Sequence, residues 1–595
     1  MSPDADIPRE FAAIVVGSGF GGSVAAYRLQ QECRKKQLPN GVLLLERGMP
    51  YPPRSFPRTP HEMQKAFWDP DSALYGLYEV WSFRRARMIV SSGLGGGSLI
   101  YANVLIRKPP DTFKRTGLGE PDKPWPINAR TVADHYKPVS DIIDIEPLPR
   151  PYYAPREGTP LVPKTAQFID AAGAAGLRPA MSEEDPSTPW LAPLAVAFRN
   201  RDGASEPGAP LGHVNLHGRP RRTCTLVGEC DLGCNEGAKN SLDYNYLSRF
   251  QDAGGTIRTC CEAVEVKRLK SGRYEVRYRQ HGAAVRHVLE RAKGEDKLEQ
   301  DSELLDNDTA RPSASVEAGV VVLAAGALGS PRLLLRSRAS LPPLSPALGR
   351  RFSSNGDLIL FARDCTERDG RRARNLAPSR GPVITAAGTS GRGDHPLWVE
   401  DAGGPSLSEW GWQLPELAAE AWKTLRRDLS PGRLLAGRGG RRSWVSATLA
   451  AALGTTRPSS AMLPLLAMGL DNAGGRLRLD RDALTLSWDP ADSASHFYGA
   501  EAAMERVAEN LGGRLWPEPQ WLRRLAWGLT VHPLGGAPMG ENPTEGVVDV
   551  NGEVFGCRNL FVADGSVMPG PVGPNPSLTI AAIADHIADT AVKRL

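Results

Sequence analysis

Short unbroken apolar runs, each closed by glycine, punctuate the chain. Ala12–Val16 leads into GSGFGG and then into Ser23–Gln31 at helical spacing, the order of a buried parallel strand, a tight turn and a helix. Val42–Leu45 is a second buried run, ending in Glu46. Ala263–Arg268 and Tyr274–Tyr278 read as strands. Val320–Ala324 reads as another buried strand, followed by a glycine turn at Gly326 and Gly329 and an apolar helix. Residues 476–490 alternate as a hairpin does. From Leu578 an apolar-periodic helix follows directly on Asn575 and Pro576. Between these elements, residues 51–90 are loop-rich and 105–222 carry helical patterning broken by prolines. Residues 291–315 form a charged low-complexity insert, and 406–465 have few strand signals but several Trp and many Arg. Strands alternating with helices predict an α/β fold with a parallel sheet.

Length and composition narrow the class. The 595 residues suffice for two to four lobes at roughly 100–200 residues each. Hydrophobic residues at 41% and charged residues at 23% exclude a disordered or fibrous chain. A net charge of +5 on 72 basic and 67 acidic groups is too balanced to argue for nucleic acid. No apolar run reaches the roughly 18 residues of a membrane span. The N-terminal MSPDADIPREF has neither a basic region nor an apolar core, so no signal peptide and a cytoplasmic location are expected. Eight cysteines are too few for a disulfide scaffold.

Gly17, Gly19 and Gly22 form G-x-G-x-x-G between strand and helix. That pattern allows a tight turn, close approach of a pyrophosphate, and close packing of helix on strand. Glu46 ends the second strand, where a carboxylate can hold ribose hydroxyls. A second glycine cluster, Gly93 and Gly95–Gly97, lies in SSGLGGGSLIYANV.

These pieces, with AAGALGSP, HPLGG, ADGSVMPG and GPNPSLTIAAIA, resemble the glucose–methanol–choline (GMC) family of FAD-dependent oxidoreductases. Within it the spacing from VHPLGG to VGPNPSLTI and the GAKNSLDYNYL stretch are most similar to the bacterial cholesterol oxidases and their intracellular relatives. The resemblance implies a Rossmann-like FAD-binding domain assembled from residues 10–110, 215–345 and 531–595. A substrate domain with a mainly antiparallel sheet would span 111–214 and 346–530, with a helical basic insert at about 406–465. It implies FAD contacts from Gly17, Gly19, Phe20, Gly21, Gly22 and Glu46, and from Gly95, Gly96, Gly97 and Ser98. Further contacts would come from Val264, Gly326, Asp564, Gly565, Asn575 and Pro576.

Alcohol oxidation needs two polar groups on one oxygen above an apolar flavin face. His532, beside the glycine turn of HPLGG, and Asn575, between two prolines, are the candidates that the family pattern implies. Asn575 also fits a helix cap. Glu400 follows Leu397, Trp398 and Val399, which read as a buried strand end, and a carboxyl carried into an apolar pocket has a raised pKa. In cholesterol oxidases a glutamate in a comparable strand moves a proton during steroid isomerisation, which makes Glu400 the third candidate.

Two departures stand out. Tyr101 occupies a position where the family usually has Asn, and Asn103 follows two residues later. In RTCTLVGECDLGCNEGAKN, Val227 replaces one cysteine of a run that resembles an iron–sulfur pattern. Cys224, Cys230 and Cys234 remain; three thiolates could still hold a metal with an outside ligand, and a cysteine-rich structural turn without metal is the favoured reading. Within 406–465, Leu414, Leu417, Ala421, Trp422, Leu425 and Leu429 share about one helical face, and 421–444 hold seven Lys or Arg and one Asp. Residues 414–444 read either as a solvated lid helix or as a patch docking on an anionic membrane.

The expected activity is FAD-dependent oxidation of a secondary alcohol, a 3-hydroxysteroid such as cholesterol, with double-bond isomerisation. Oxygen or an electron carrier would be the acceptor. The rivals are a dehydrogenase of another bulky apolar alcohol with a non-oxygen acceptor, a redox-silent FAD-containing lyase, and an electron-transfer module built on the cysteines.

Overall fold

The Glu10–Val16 run lies inside a seven-stranded sheet. The order is Thr256–Arg258, Val42–Leu45, Glu10–Val16, Ala314–Leu323, Tyr274–Gln280 and Cys261–Arg268, with Leu560–Val562 also on Ala314–Leu323. The computed structural model behind this description covers residues 7–116, 123–181, 185–200, 202–203, 205–212, 215–282, 284–285, 314–367, 369–390, 396–406, 459–516 and 528–595. Nearly all of the 291–315 insert and the whole of 414–444 lie outside the described residues.

Ala314–Leu323 starts earlier than the apolar run alone suggests. Its first half pairs antiparallel with Tyr274–Gln280, and its second half runs parallel to Glu10–Val16 on one side and Leu560–Val562 on the other. The apolar stretch Val320–Leu323 is the part buried between parallel neighbours, as unbroken apolar strands are. Helix Phe20–Lys35 packs against Ser577–Ala591, which in turn packs against Ala129–Ile143. The last of these helices starts at Asn128, whose side chain accepts a hydrogen bond from the Thr131 N–H, a standard N-cap.

A second sheet has six strands, all antiparallel, in the order Arg514–Trp516, Leu358–Arg363, Leu463–Gly469, Leu397–Asp401, Ala387–Thr389 and Arg178–Pro179. Leu463–Gly469 lies inside it, so the last residues of the 406–465 stretch are strand and not helical insert. Helices Pro163–Ala174 and Ala494–Asn510 cover one face of this sheet.

Alternation along Leu397–Asp401 then fixes what the other face carries. Leu397 and Val399 join the helix-covered core, and Asp401 meets Lys164 of the covering helix at 3.3 Å, with both side chains fully buried. Trp398 and Glu400 therefore point the opposite way. Among the described residues no helix is long and apolar enough to cross a membrane.

Candidate active site

Three glycine segments meet at the end of the parallel sheet. Gly17 has φ +97°, and a Cβ there would stand 2.3 Å from the Ala324 carbonyl oxygen, so no other residue fits this turn. A Cβ on Gly21 would meet Ala563 O at 1.5 Å, and one on Gly22 would meet Gly17 O at 2.0 Å. Gly96 lies against Gly19, with its virtual Cβ 2.6 Å from Gly19 Cα. Around Gly19 and Gly97, by contrast, a Cβ would point into open space. A backbone cradle that a side chain would fill, at the start of a 16-residue helix with no acidic residue in its first turn, suits a pyrophosphate.

Gly19→Val places a branched side chain in that space. The variant is expected to purify colourless while the wild type is yellow with one FAD per chain. A normal FAD spectrum in the variant would remove Gly19 from the cofactor site.

Of the other residues expected there, Asp564 adjoins the cradle, its Cα 3.2 Å from a virtual Cβ on Gly21. Phe20 packs edge-on against Tyr101 with ring centroids 5.4 Å apart. The Ser98 hydroxyl donates to Gly95 O at 2.7 Å, holding the second glycine turn. Val264 sits at a register shift between Cys261–Arg268 and its neighbour, a bulge that re-aims the local backbone. Asp564 is buried and accepts from Gly326 N–H at 2.9 Å, Ser330 Oγ–H at 2.5 Å and Ser566 N–H at 2.8 Å. Gly565 O accepts from the Gly535 N–H at 2.9 Å, which ties this segment to the HPLGG turn. Glu46 differs from expectation in one respect. Its carboxylate already accepts from Ser18 N–H, Ser18 Oγ–H and Gly48 N–H at 3.1, 2.6 and 2.8 Å, leaving one of about four lone-pair positions for a ribose hydroxyl.

Two of the three catalytic candidates, Glu400 and Asn575, meet from positions 175 apart, and the third, His532, is held by Asp357. His532 Nδ1 lies 2.8 Å from Asp357 Oδ1, with the ring 14% exposed and the carboxylate buried. An acid at that distance accepts Nδ1–H and leaves Nε2 free to take a proton. Asp357 Oδ2 also accepts from Thr530 Oγ1–H at 2.8 Å and Val531 N–H at 3.0 Å, so the carboxylate is fixed by the chain that carries His532. Asp357 was not visible as a partner in the sequence. The only local cue is Asn355-Gly356 before it, which signals a turn and nothing about a histidine 175 residues away.

Glu400 is fully buried on Leu397–Asp401. Desolvation, with the charges of Asp401 and Asp357 adding to it, pushes its carboxyl up to about 8, against the hydrogen bond from Asn575. Asn355, two residues before Asp357, donates to Gly573 O and Pro574 O, which brings the turn carrying Asp357 to the loop that ends in Asn575. Asn575 Nδ2 donates to Glu400 Oε2 at 3.4 Å. Glu400 Oε1 and Asn575 Oδ1 are both buried without a partner, and such groups cost stability unless something binds them. The expected helix-cap role of Asn575 is not met. Pro576 is the N-cap of Ser577–Ala591 and no side chain caps it, because the Asn575 side chain turns to Glu400 instead.

Comparison with known proteins decides the family. The GMC oxidoreductase models match residues 198–354 and 475–584. The chain belongs to the GMC oxidoreductase family. It is similar over nearly its whole length to cholesterol oxidase of Mycobacterium tuberculosis strain H37Rv, at 27% identity over 99% of this chain and 91% of that one. Cholesterol oxidase of Acinetobacter baumannii is 25% identical over 97% and 93%. The fold is shared with pyridoxine 4-oxidase from Mesorbium loti, at TM-score 0.52 and 19% identity over 97% and 98% of the two chains. It is also shared with a fungal aryl-alcohol oxidase, at TM-score 0.50 and 15% identity over 99% of each. As a GMC oxidoreductase the chain is an alcohol-oxidising enzyme, and the family is FAD-dependent.

The two departures noted in the sequence have structural counterparts. The Tyr101 ring lies under Lys239, whose Nζ is 4.7 Å from the centroid and donates to Leu99 O, Tyr101 O and Cys230 O at 3.0, 2.7 and 3.0 Å. Burial pushes that ammonium down to about 8. Tyr101 is thus packed as a structural platform, while Asn103, fully buried at φ +69°, has an unpartnered carboxamide. In the cysteine turn, burial pushes the Cys224 and Cys230 thiols up, and Val227 stands where the family run has another cysteine. Anaerobically prepared protein is expected to hold neither iron nor acid-labile sulfide. Stoichiometric iron by elemental analysis would revive the electron-transfer reading.

Proposed function

We propose that this enzyme oxidises the secondary hydroxyl of a bulky apolar alcohol, a 3-hydroxysteroid, and then moves the ring double bond into conjugation. The observation that carries the reading is the buried pair Glu400–Asn575, each with one unpartnered oxygen, beside the His532–Asp357 pair. The near full-length similarity to two cholesterol oxidases supports the substrate class.

FAD would be held by the glycine segments and the Asp564 loop described above and, when bound, would supply the hydride acceptor. Asn575 and His532 would grip the substrate oxygen from two sides. His532 Nε2 takes the hydroxyl proton as the carbinol carbon gives up its hydride, and the Asp357 carboxylate stabilises the imidazolium that forms. The product of that step from a Δ5 steroid is a β,γ-unsaturated ketone with an acidic proton at C4. Glu400 Oε1, in a water-poor setting beside Trp398, takes that proton and returns it at C6.

The division of labour expected from the sequence, an FAD lobe and a substrate lobe with the boundaries given above, is part of this proposal. So is contact with a lipid surface, where a water-insoluble alcohol would be met.

The test is anaerobic mixing with a panel of sterols and smaller alcohols. Bleaching of the flavin band by sterols above all others is expected. Bleaching only by small alcohols would withdraw the steroid, and product release without bleaching would indicate a lyase. Reoxidation of the bleached enzyme by air against a dye acceptor separates an oxidase from a dehydrogenase.

A further inference from the structure

The loop that delivers Asn575, Pro571-Val572-Gly573-Pro574, belongs to no helix or strand. Its backbone polar groups are four carbonyls and, since proline has no N–H, two donors. Two side chains from elsewhere satisfy all six. Lys108 Nζ donates to Pro571 O and Val572 O, each at 3.0 Å. Asn355 Oδ1 accepts from the Val572 and Gly573 N–H groups at 2.9 and 3.0 Å, and Asn355 Nδ2 donates to Gly573 O and Pro574 O at 3.1 and 3.2 Å. Both side chains are buried. Lys108 is further held over the rings of Trp125 and Phe113, at 4.5 and 5.3 Å from their centroids.

Asn355 does not act alone on its side. Its φ is +57°, a conformation asparagine tolerates well. The turn around it is pinned by Asp471, which accepts from Ser353 Oγ–H, Ser354 N–H and Ser354 Oγ–H, and by His496 Nε2, 2.9 Å from Gly356 O. Two residues on, Asp357 holds His532. One turn, 353–357, thus touches both halves of the site. Its Asp357 grips the His532 segment, and its Asn355 grips the Asn575 loop.

We propose that Asn355, assisted by Lys108, is the positioning residue that sets Asn575 against Glu400 and the substrate oxygen. The shared turn keeps that placement in register with His532. The inference rests on the proposed role of Asn575. Misplacement of a contact by about 1 Å can cost about 10²-fold in rate.

Asn355→Gly keeps the φ and deletes all four hydrogen bonds. Stopped-flow flavin reduction should show the limiting rate lowered by about 10–100-fold with substrate dissociation changed by less than about threefold. In an Asn575→Ala background the same substitution should lower the rate by no more than about threefold. An equal fold loss in both backgrounds would overturn the proposal.

A second readout needs no turnover. The infrared carbonyl band of protonated Glu400, assigned by its loss in Glu400→Gln, should shift in Asn355→Asp as it does in Asn575→Ala. Asn355→Asp keeps the shape and the φ while facing the Gly573 and Pro574 carbonyls with oxygen. A Glu400 band unmoved in Asn355→Asp but moved in Asn575→Ala would also overturn the proposal. A wild type inert to every alcohol would sink the functional reading alone, since the band still reports the placement.

Discussion

His532→Ala and Asn575→Ala each slow anaerobic flavin reduction by about 10²–10⁴-fold, while the visible spectrum of bound FAD stays nearly that of the wild type. The size follows from what each side chain supplies. In the proposed mechanism His532 is the base, held by a buried carboxylate at 2.8 Å, and alanine removes the group that takes the proton. Asn575 offers a donor and an unpartnered acceptor in one rigid loop, and alanine leaves the substrate oxygen with one contact instead of two. The spectrum stays because the glycine cradle, Gly17 to Gly22 with Gly95 to Gly97, is built from backbone that neither substitution touches. Reduction at the wild-type rate in either variant would remove that residue from the site.

Glu400→Gln is expected to leave alcohol oxidation close to the wild-type rate and to accumulate the unconjugated ketone. The amide keeps the shape and a hydrogen-bond partner for Asn575 but has no basic oxygen to carry a proton. In the wild type the carboxyl, pushed up to about 8, is mostly protonated near neutral pH. Its base form therefore grows about tenfold per pH unit below that value. The conjugated fraction should rise with pH and level off above about 8, a dependence absent in the variant.

Stability moves the other way. An unfolded glutamate has a pKa of about 4.3, so between that value and about 8 the folded chain holds a proton that the unfolded chain has released. Raising the pH through this window destabilises the fold, and thermal melts of Glu400→Gln should lose that slope. The readout for the chemistry is ultraviolet absorbance of the conjugated product, followed beside flavin reduction. Unchanged conjugation in the variant would show that another base acts, and loss of both steps would place Glu400 in the oxidation site.

What the sequence made legible was what is local. Gly17, Gly19 and Gly22 could be read because a strand, a turn and a helix follow one another within about twenty residues. Glu400 could be placed at the end of a buried strand because the three residues before it are apolar. Asp357, Asn355 and Lys108 could not be read in this way. Their roles depend on partners 175 to 464 positions away, and no local pattern distinguishes an asparagine in a turn from one that also supports a distant loop. Asn575 shows the reverse error. Its place before a helix suggests a cap, yet a tertiary partner outcompeted the local hydrogen bond.

The pairing of Leu560–Val562 with Ala314–Leu323 has a consequence for biogenesis. At about 5–20 residues per second, the ribosome takes roughly ten to fifty seconds between Leu323 and Leu560. During that interval the flank of Val321–Leu323 is an open, apolar strand edge, the kind that recruits another chain. A nascent polypeptide stalled before Leu560 should therefore be bound by chaperone holdases and precipitate when released. The same chain released after Ala591 should close its own edge and stay in solution.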